Sequence, residues 1–325
     1  MSAAGTGPRP GRPRPLASPA AVPRRHLLIA FASVYVAWGS TYLAIRVGVR
    51  HLAPTMLGGV RFAVAGAGML LALRATGRLA PTTRRERGAI AAMATLMLVG
   101  GNGLVMWAER SVASGLAALL VATVPLWMAG LAALPPTRER LPRLAVIGLV
   151  LGFLGVGVLV RPTWGADDLT GEAALILASL SWSIGSLYAR RAGIHADPVT
   201  ITAWEMLFAG LVFLAIGAVS GGLGASTFDG PGLAAVCYLV VIGSWVGFTA
   251  YIWLLAHVPA AKAATYAYVN PVIALLLGWW LLDEPVTARI AAGSAIIVVA
   301  VALVTSAGVS PPAAALDDER AAASG

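Results

Sequence analysis

The chain has 325 residues, 58% of them hydrophobic and only 11% charged, with a mean hydropathy of +0.82. A soluble domain carries about 25% charged residues, so the composition excludes an ordinary soluble protein and points to a polytopic helical membrane protein. One cysteine, Cys237, excludes an intrachain disulfide and argues against a thiolate metal site, and the net charge of +9 has a topological explanation that makes nucleic acid unnecessary.

In chain order, residues 1–25 are rich in Pro, Gly and Ala with scattered Arg and read as a disordered N-tail. A cleaved signal peptide is the rival reading; the first apolar run is too long for one and continues into a polar-aromatic stretch. Ten apolar spans follow, most near the roughly 20 residues that cross about 30 Å of hydrocarbon. The first five are Leu27–Ile45, Thr55–Leu73, Gly88–Trp107, Ser114–Leu134 and Leu144–Val160. The second five are Ala173–Ala189, Val199–Val219, Gly232–Ala256, Ala263–Leu282 and Ile290–Ala307. Residues 309–325 read as a second disordered tail. With the N-terminus inside, 17 basic residues fall in inner segments, five in outer ones, and Arg61 within a span. Both termini are therefore expected in the cytoplasm.

The spans repeat. "WGSTYLAIR" at 38–46 aligns with "WSIGSLYAR" at 182–190 at an offset of 144, which also brings Pro54 onto Pro198 and "RFAVAG" at 61–66 onto "EMLFAG" at 205–210. An offset of 146 brings Pro125 onto Pro271, and Glu139 falls near Glu284. The order and spacing predict a duplicated five-helix unit, residues 26–162 and 170–308. Because five is odd, the second copy enters from the opposite side, the inverted repeat found in secondary transporters. Pro125 and Pro271 are expected to break spans 4 and 9 near mid-bilayer. Either a polar cavity or neighbouring helices must then satisfy the freed carbonyls.

The ten-span plan, "WGSTYLAIR", "RFAVAG", the "VP" and "NP" breaks and the closing "LLDEPVTARIAAGSAIIVVAVAL" resemble the EamA repeats of the drug/metabolite transporter superfamily, in particular its YedA-type permeases. "DEP" at 283–285 fits the pattern well; "RERL" at 138–141 lacks the proline. The resemblance implies an all-α membrane protein of ten helices in the inner membrane. It further implies export of small metabolites, amino acids or toxic compounds by alternating access, with the ligand between helices 1, 3, 4, 6, 8 and 9.

Candidate ligand contacts are Trp38, Thr41 and Tyr42 in span 1, and Trp182 and Ser186 at the matching places of span 6. Aromatic walls with hydroxyls suit an amphipathic or cationic ligand; helix packing is the alternative. Asn102 sits in "GGNG" of span 3, and Tyr266 and Asn270 share a face of span 9, while Tyr268 points elsewhere. Thr249, Tyr251 and Trp253 of span 8 are open to interfacial anchoring instead. Two charges lie inside spans, Arg61 and Glu205, each costing about 2.5–3.5 kcal/mol at a helix centre. Lying about six residues from opposite faces, roughly 12 Å apart along the bundle axis, they are not expected to pair. Arg61 could hold carbonyls or gate one mouth, with snorkelling as the alternative. Glu205 is the candidate for a proton-coupling carboxylate. Asp283 and Glu284 read as a turn or mouth, Asp167 and Asp168 as a solvated loop, and the four histidines as too scattered for a metal.

The expected partners are a small-molecule substrate and the lipid bilayer, with protons or exchange as the coupling and a monomer or homodimer as the assembly. No cofactor is expected. An intramembrane enzyme would need a nucleophile with its base or a carboxylate cluster, and a channel would need a charged ring or filter. Neither pattern is visible.

Overall fold

The computed structural model describes residues 23–135, 141–159, 166–258 and 265–307. The tail segments 1–22 and 308–325, the 136–140 stretch with Glu139, and the 259–264 stretch with Lys262 lie outside the described residues, as do the side chains of Asp167, Asp168 and Tyr268. The described residues are helical, without a strand. The helices are α1 (Arg24–His51), α2 (Pro54–Ala75), α3 (Arg84–Ala108), α4 (Ser114–Ala133), α5 (Arg143–Leu159), α6 (Ala166–Ala189), α7 (Pro198–Val219), α8 (Gly230–His257), α9 (Tyr266–Leu282) and α10 (Ala288–Ala307). Seven helical spans among them are long and apolar enough to cross a membrane, and three apolar stretches, Arg143–Leu159, Val269–Leu282 and Ala288–Val304, are shorter. Large apolar side chains such as Leu71, Leu154, Leu211 and Trp280 are exposed on the outside of the bundle, where lipid tails would cover them.

The helix ends follow from the local sequence. Pro54 and Pro198 start α2 and α7 in the first turn, where a missing N–H costs nothing. Asp197 accepts from the Val199 and Thr200 amides, and Thr83 and Glu86 form a capping box at α3. Gly77 (φ 66°) and Gly221 (φ 74°) turn the chain after α2 and α7, a left-handed conformation that glycine adopts without strain. These paired prolines and glycines stand 144 residues apart, as the alignment requires.

α3 and α8 carry the least expected repeat feature. In both, the α-helix widens into a π-helical stretch, Thr95–Asn102 and Leu239–Val246, again at an offset of 144.

The repeats meet antiparallel. His51, the last residue of α1, pairs with Asp229 before α8 at 2.7 Å, and Thr227 N donates to His51 O. At the far end of α2, the His195 amide donates to Glu86 at 2.9 Å, with the imidazole at 3.7 Å. The two corners are repeat equivalents at opposite ends of the bundle. α2 and α7 run along each other with backbones in contact. A Cβ at Gly66 would stand 2.3 Å from Leu207 N, and one at Gly210 would stand 2.2 Å from Ala63 N. Small residues are what allow helices to approach this closely in lipid. α5 and α10 pair through Gly148, Gly155 and Gly293 in the same way. α1 packs on α8 and α9, while its equivalent α6 packs on α3 and α4.

Several expectations need correction. Pro125 does interrupt its helix, which breaks at Ala122–Thr123 between Ser114–Val121 and Val124–Ala133. Pro271 does not: α9 runs unbroken from Tyr266 to Leu282. It falls within the second turn, so the carbonyl it leaves without a bond belongs to the helix's first turn rather than its middle. Asp167 and Asp168 lie in the first turn of α6, not in a loop. α1 is 28 residues long and extends past the expected span at both ends.

Candidate functional site

Trp38, half-way along α1, is the hub of the best-formed aromatic cluster. Its ring centre lies 5.2 Å from Phe248, 5.0 Å from Tyr251 and 4.8 Å from Tyr266, and Tyr251 and Tyr266 meet edge-on at 5.5 Å. The indole Nε1 donates to Gly243 O in the wide part of α8 at 3.2 Å. Only glycine fits one turn further along: a Cβ at Gly247 would stand 2.4 Å from that Nε1. Three helices, α1, α8 and α9, thus build one box of tilted and edge-to-face rings. Phe248 had no distinguishing signal in the sequence, and Tyr251 had been open to a lipid-anchoring role.

Asn270 lies one turn from Tyr266 on the same face of α9, 7% exposed, with Oδ1 enclosed and unpartnered. Thr41 and Tyr42 lie one turn from Trp38 on α1. The Thr41 hydroxyl donates back to Trp38 O at 2.6 Å, and Tyr42 is half-buried against the core. Arg61 comes in from α2. It is 4% exposed, with Nε 3.4 Å from Ser244 Oγ, its guanidinium carbon 4.6 Å from the Phe62 ring centre, and Nη1 enclosed without a partner. The side chain does not snorkel. Glu205 on α7 is 8% exposed with Oε1 unpartnered, and no ion pair joins it to Arg61 among the described residues.

The counterpart residues in α6 do not build a second box. Trp182 packs where a Cβ on Gly101 would stand 3.0 Å from its ring, and Ser186 donates back to Trp182 O at 2.8 Å. Asn102, at the end of the wide stretch of α3, is half-buried with no side-chain hydrogen bond among the described residues. α6 instead serves the break in α4. Ser179 Oγ donates to Leu120 O and Ser183 Oγ to Val124 O, both at 3.2 Å, and Thr123 Oγ1 also bonds Leu120 O. Carbonyls at the Pro125 break are therefore met by a neighbouring helix, the packed alternative. Thr249 and Trp253 line a shallow groove of about 700 Å³ with His26, Ile29 and Trp245. It lies on the outer side of α1 and α8 and includes none of the box residues.

A second polar cluster, which the sequence reading missed, closes the end of the bundle that carries His51. Glu284 caps α4, accepting from Ser114 N at 2.9 Å, Ser114 Oγ at 2.8 Å and Gly115 N at 3.2 Å. Just beyond α3, Glu109 is 0% exposed with both carboxyl oxygens unpartnered, and Arg46 donates to its backbone carbonyl. Burial pushes the Glu109 carboxyl well above the usual carboxylate range; the nearby Glu284 charge adds to this and Arg46 opposes it. Its only sequence signal was an acid at a span end, beside Arg110.

Residues 26–161 and 169–306 each match the EamA-like transporter family. The chain is 37% identical over 259 residues to the uncharacterized inner membrane transporter YedA of Escherichia coli (strain K12), covering 79% of this chain and 83% of that one. It is 23% identical over 271 residues to the uncharacterized transporter YoaV of Bacillus subtilis, covering 82% and 92%. A solved crystal structure, 19% identical, superposes with a TM-score of 0.60 over 86% of this chain and 96% of its own, which speaks to the fold. Two matched repeats and a relative of this closeness make the chain a multi-pass inner-membrane transporter of the EamA-like family.

Proposed function

We propose that this chain is a secondary carrier that exports small metabolites or drug-like compounds by alternating access, holding its solute where Trp38, Tyr266 and Asn270 meet Arg61. In this reading the three shorter apolar stretches also cross the bilayer, giving ten spans, and both termini are cytoplasmic, as the distribution of basic residues suggests. Coupling is to protons, carried by Glu205, or to exchange of a second solute.

The observation that carries the reading is the aromatic box. It joins α1 of one repeat to α8 and α9 of the other; Asn270, one turn from Tyr266, and Arg61, beside Gly243, keep unpartnered polar atoms. A box at a seam between repeats changes shape when the repeats move against one another, as alternating access requires.

Reconstituted vesicles test it. A carrier gives saturable flux that a solute on the far side accelerates, whereas a channel shows no such acceleration. A buried aromatic anchor is commonly worth about 2 kcal/mol or more, so Trp38→Ala should lower flux at sub-saturating solute by at least about tenfold, with normal membrane insertion. Asn270→Ala should also impair it. Unchanged flux in both variants rejects the site.

A further inference from the structure

We propose that the transported compound carries one negative charge, a carboxylate on an apolar or aromatic body, and that Arg61 is its counter-ion; this rests on the carrier reading above and adds the chemical class of the solute.

A guanidinium presents five N–H donors and keeps its charge at any physiological pH. Among the described residues, the Arg61 guanidinium finds a single acceptor, the Ser244 hydroxyl, at the long distance of 3.4 Å. Nη1 is sealed in without a partner, and no carboxylate of the described residues forms an ion pair with the group. Among the described residues no backbone carbonyl accepts from it either, so its one tie to a neighbouring helix is the long bond to Ser244. The Phe62 face beneath it supplies a modest compensation. A charge kept in this state within a membrane bundle is a functional group waiting for an opposite charge.

The surroundings describe the rest of the compound. A Cβ on Gly243 would stand 3.3 Å from Arg61 Nη2 and 2.8 Å from Thr41 Cγ2, so glycine lets the guanidinium approach the α8 backbone. The carbonyl of the same Gly243 takes the Trp38 indole N–H. Arg61 and Trp38 therefore converge on one residue, and the box opens from Trp38. An anionic head at Arg61 places an attached ring or aliphatic body against Trp38 and Tyr266. One guanidinium balances one charge, and Arg46, further along α1, is turned to Glu109 at the bundle end. This favours a monocarboxylate over a phosphate.

The experiment compares three compounds that share one body: phenylacetate, phenylacetamide and phenethylammonium, charged minus one, zero and plus one. Binding is read as the shift in Tm of the full-length protein in detergent, and flux in neutral phosphatidylcholine vesicles, which removes anionic lipid as a competing source of negative charge. Phenylacetate should stabilise the protein most. Since hydrogen bonds to a charged group are the stronger kind, Arg61→Gln should weaken that binding by about tenfold or more, with partial rescue in Arg61→Lys. Without ligand, Arg61→Met should match or exceed the native Tm, because a buried unpaired charge is removed. A clear fall in that Tm would make Arg61 a structural strut and overturn the proposal. So would equal binding of all three compounds, or phenylacetate binding untouched by Arg61→Gln. Saturable flux of the amide or amine with none of the carboxylate overturns the anion and leaves the carrier standing. Arg61-dependent phenylacetate binding without flux of any compound supports the anion site and counts against the carrier.

Discussion

Glu109 shows what a single enclosed carboxyl does to the stability of this fold. Its folded-state pKa is raised, so the native state holds a proton that the unfolded chain releases. Stability from the neutral carboxyl is then fully present below the unfolded value of about 4.3 and is lost as pH rises toward the folded one. Glu109→Gln keeps the shape without the titration. Its stability should match that of the native protein in acid and exceed it increasingly toward pH 8, by about 1–3 kcal/mol if the unpaired group bears its full desolvation cost, with Tm rising accordingly. Melting curves across that range in detergent decide it; parallel curves mean that Glu109 does not titrate there. Nothing in the sequence distinguished this residue from a solvated loop acid, because its burial comes from α1 and from the turn after α9, which are remote in the chain. Trp38, Asn270 and Arg61 were legible as polar or aromatic residues inside apolar spans. Their grouping was only partly so, since Phe248 and Gly243 look like ordinary residues of an apolar helix.

At the scale of the helix, the α2–α7 seam has no slack. The Cβ of Gly66→Ala would fall 2.3 Å from a backbone nitrogen, which no rotamer change relieves. The helices must part, at about 1–3 kcal/mol as for other overpacked sites, whereas Gly88→Ala, with nothing within 4 Å of its Cβ, should be neutral or slightly stabilising. Comparing the two Tm values checks the seam. Apolar length and Pro54, Pro198, Gly77 and Gly221 made the spans and turns readable. The π-helical stretches were not. "TLMLVGGN" and "LVVIGSWV" share no residue at any aligned position, so the common geometry comes from the packing of α6 and α1 against them rather than from a local code.

Across the whole molecule, the two repeats are tied at both ends by equivalent corners, His51 with Asp229 and His195 with Glu86. The offset of 144 between the histidines was present in the sequence. Their carboxylates come from the other repeat, so the pairing needed the fold. The Gly232 amide holds the Asp229 carboxyl below its usual range, and His51 adds to this. A depressed folded pKa gives stability that is present above the unfolded value and lost as pH falls through the folded one. Asp229→Ala should therefore loosen its corner at neutral pH and matter little in acid. With Cys237 replaced, a cysteine at Thr227 reports one end and a cysteine at Ala80 the other. Asp229→Ala should speed maleimide labelling at 227 alone, and Glu86→Ala at 80 alone. Faster labelling at both sites in either variant would indicate general unfolding instead of a local tie.

The widened stretches of α3 and α8 have a mechanical corollary. A π turn holds a surplus residue, and the surplus can pass along the rod by exchanging one backbone bond for the next, with no bond lost overall. Each such step turns the residues it passes by about 100°, the angle per residue of an α-helix, and leaves the helix on either side in place. Trp38 is tethered to the carbonyl of Gly243, within the surplus of α8. A one-residue migration there would break that tether or drag the indole along, so the aromatic box is attached to the part of the helix best able to twist.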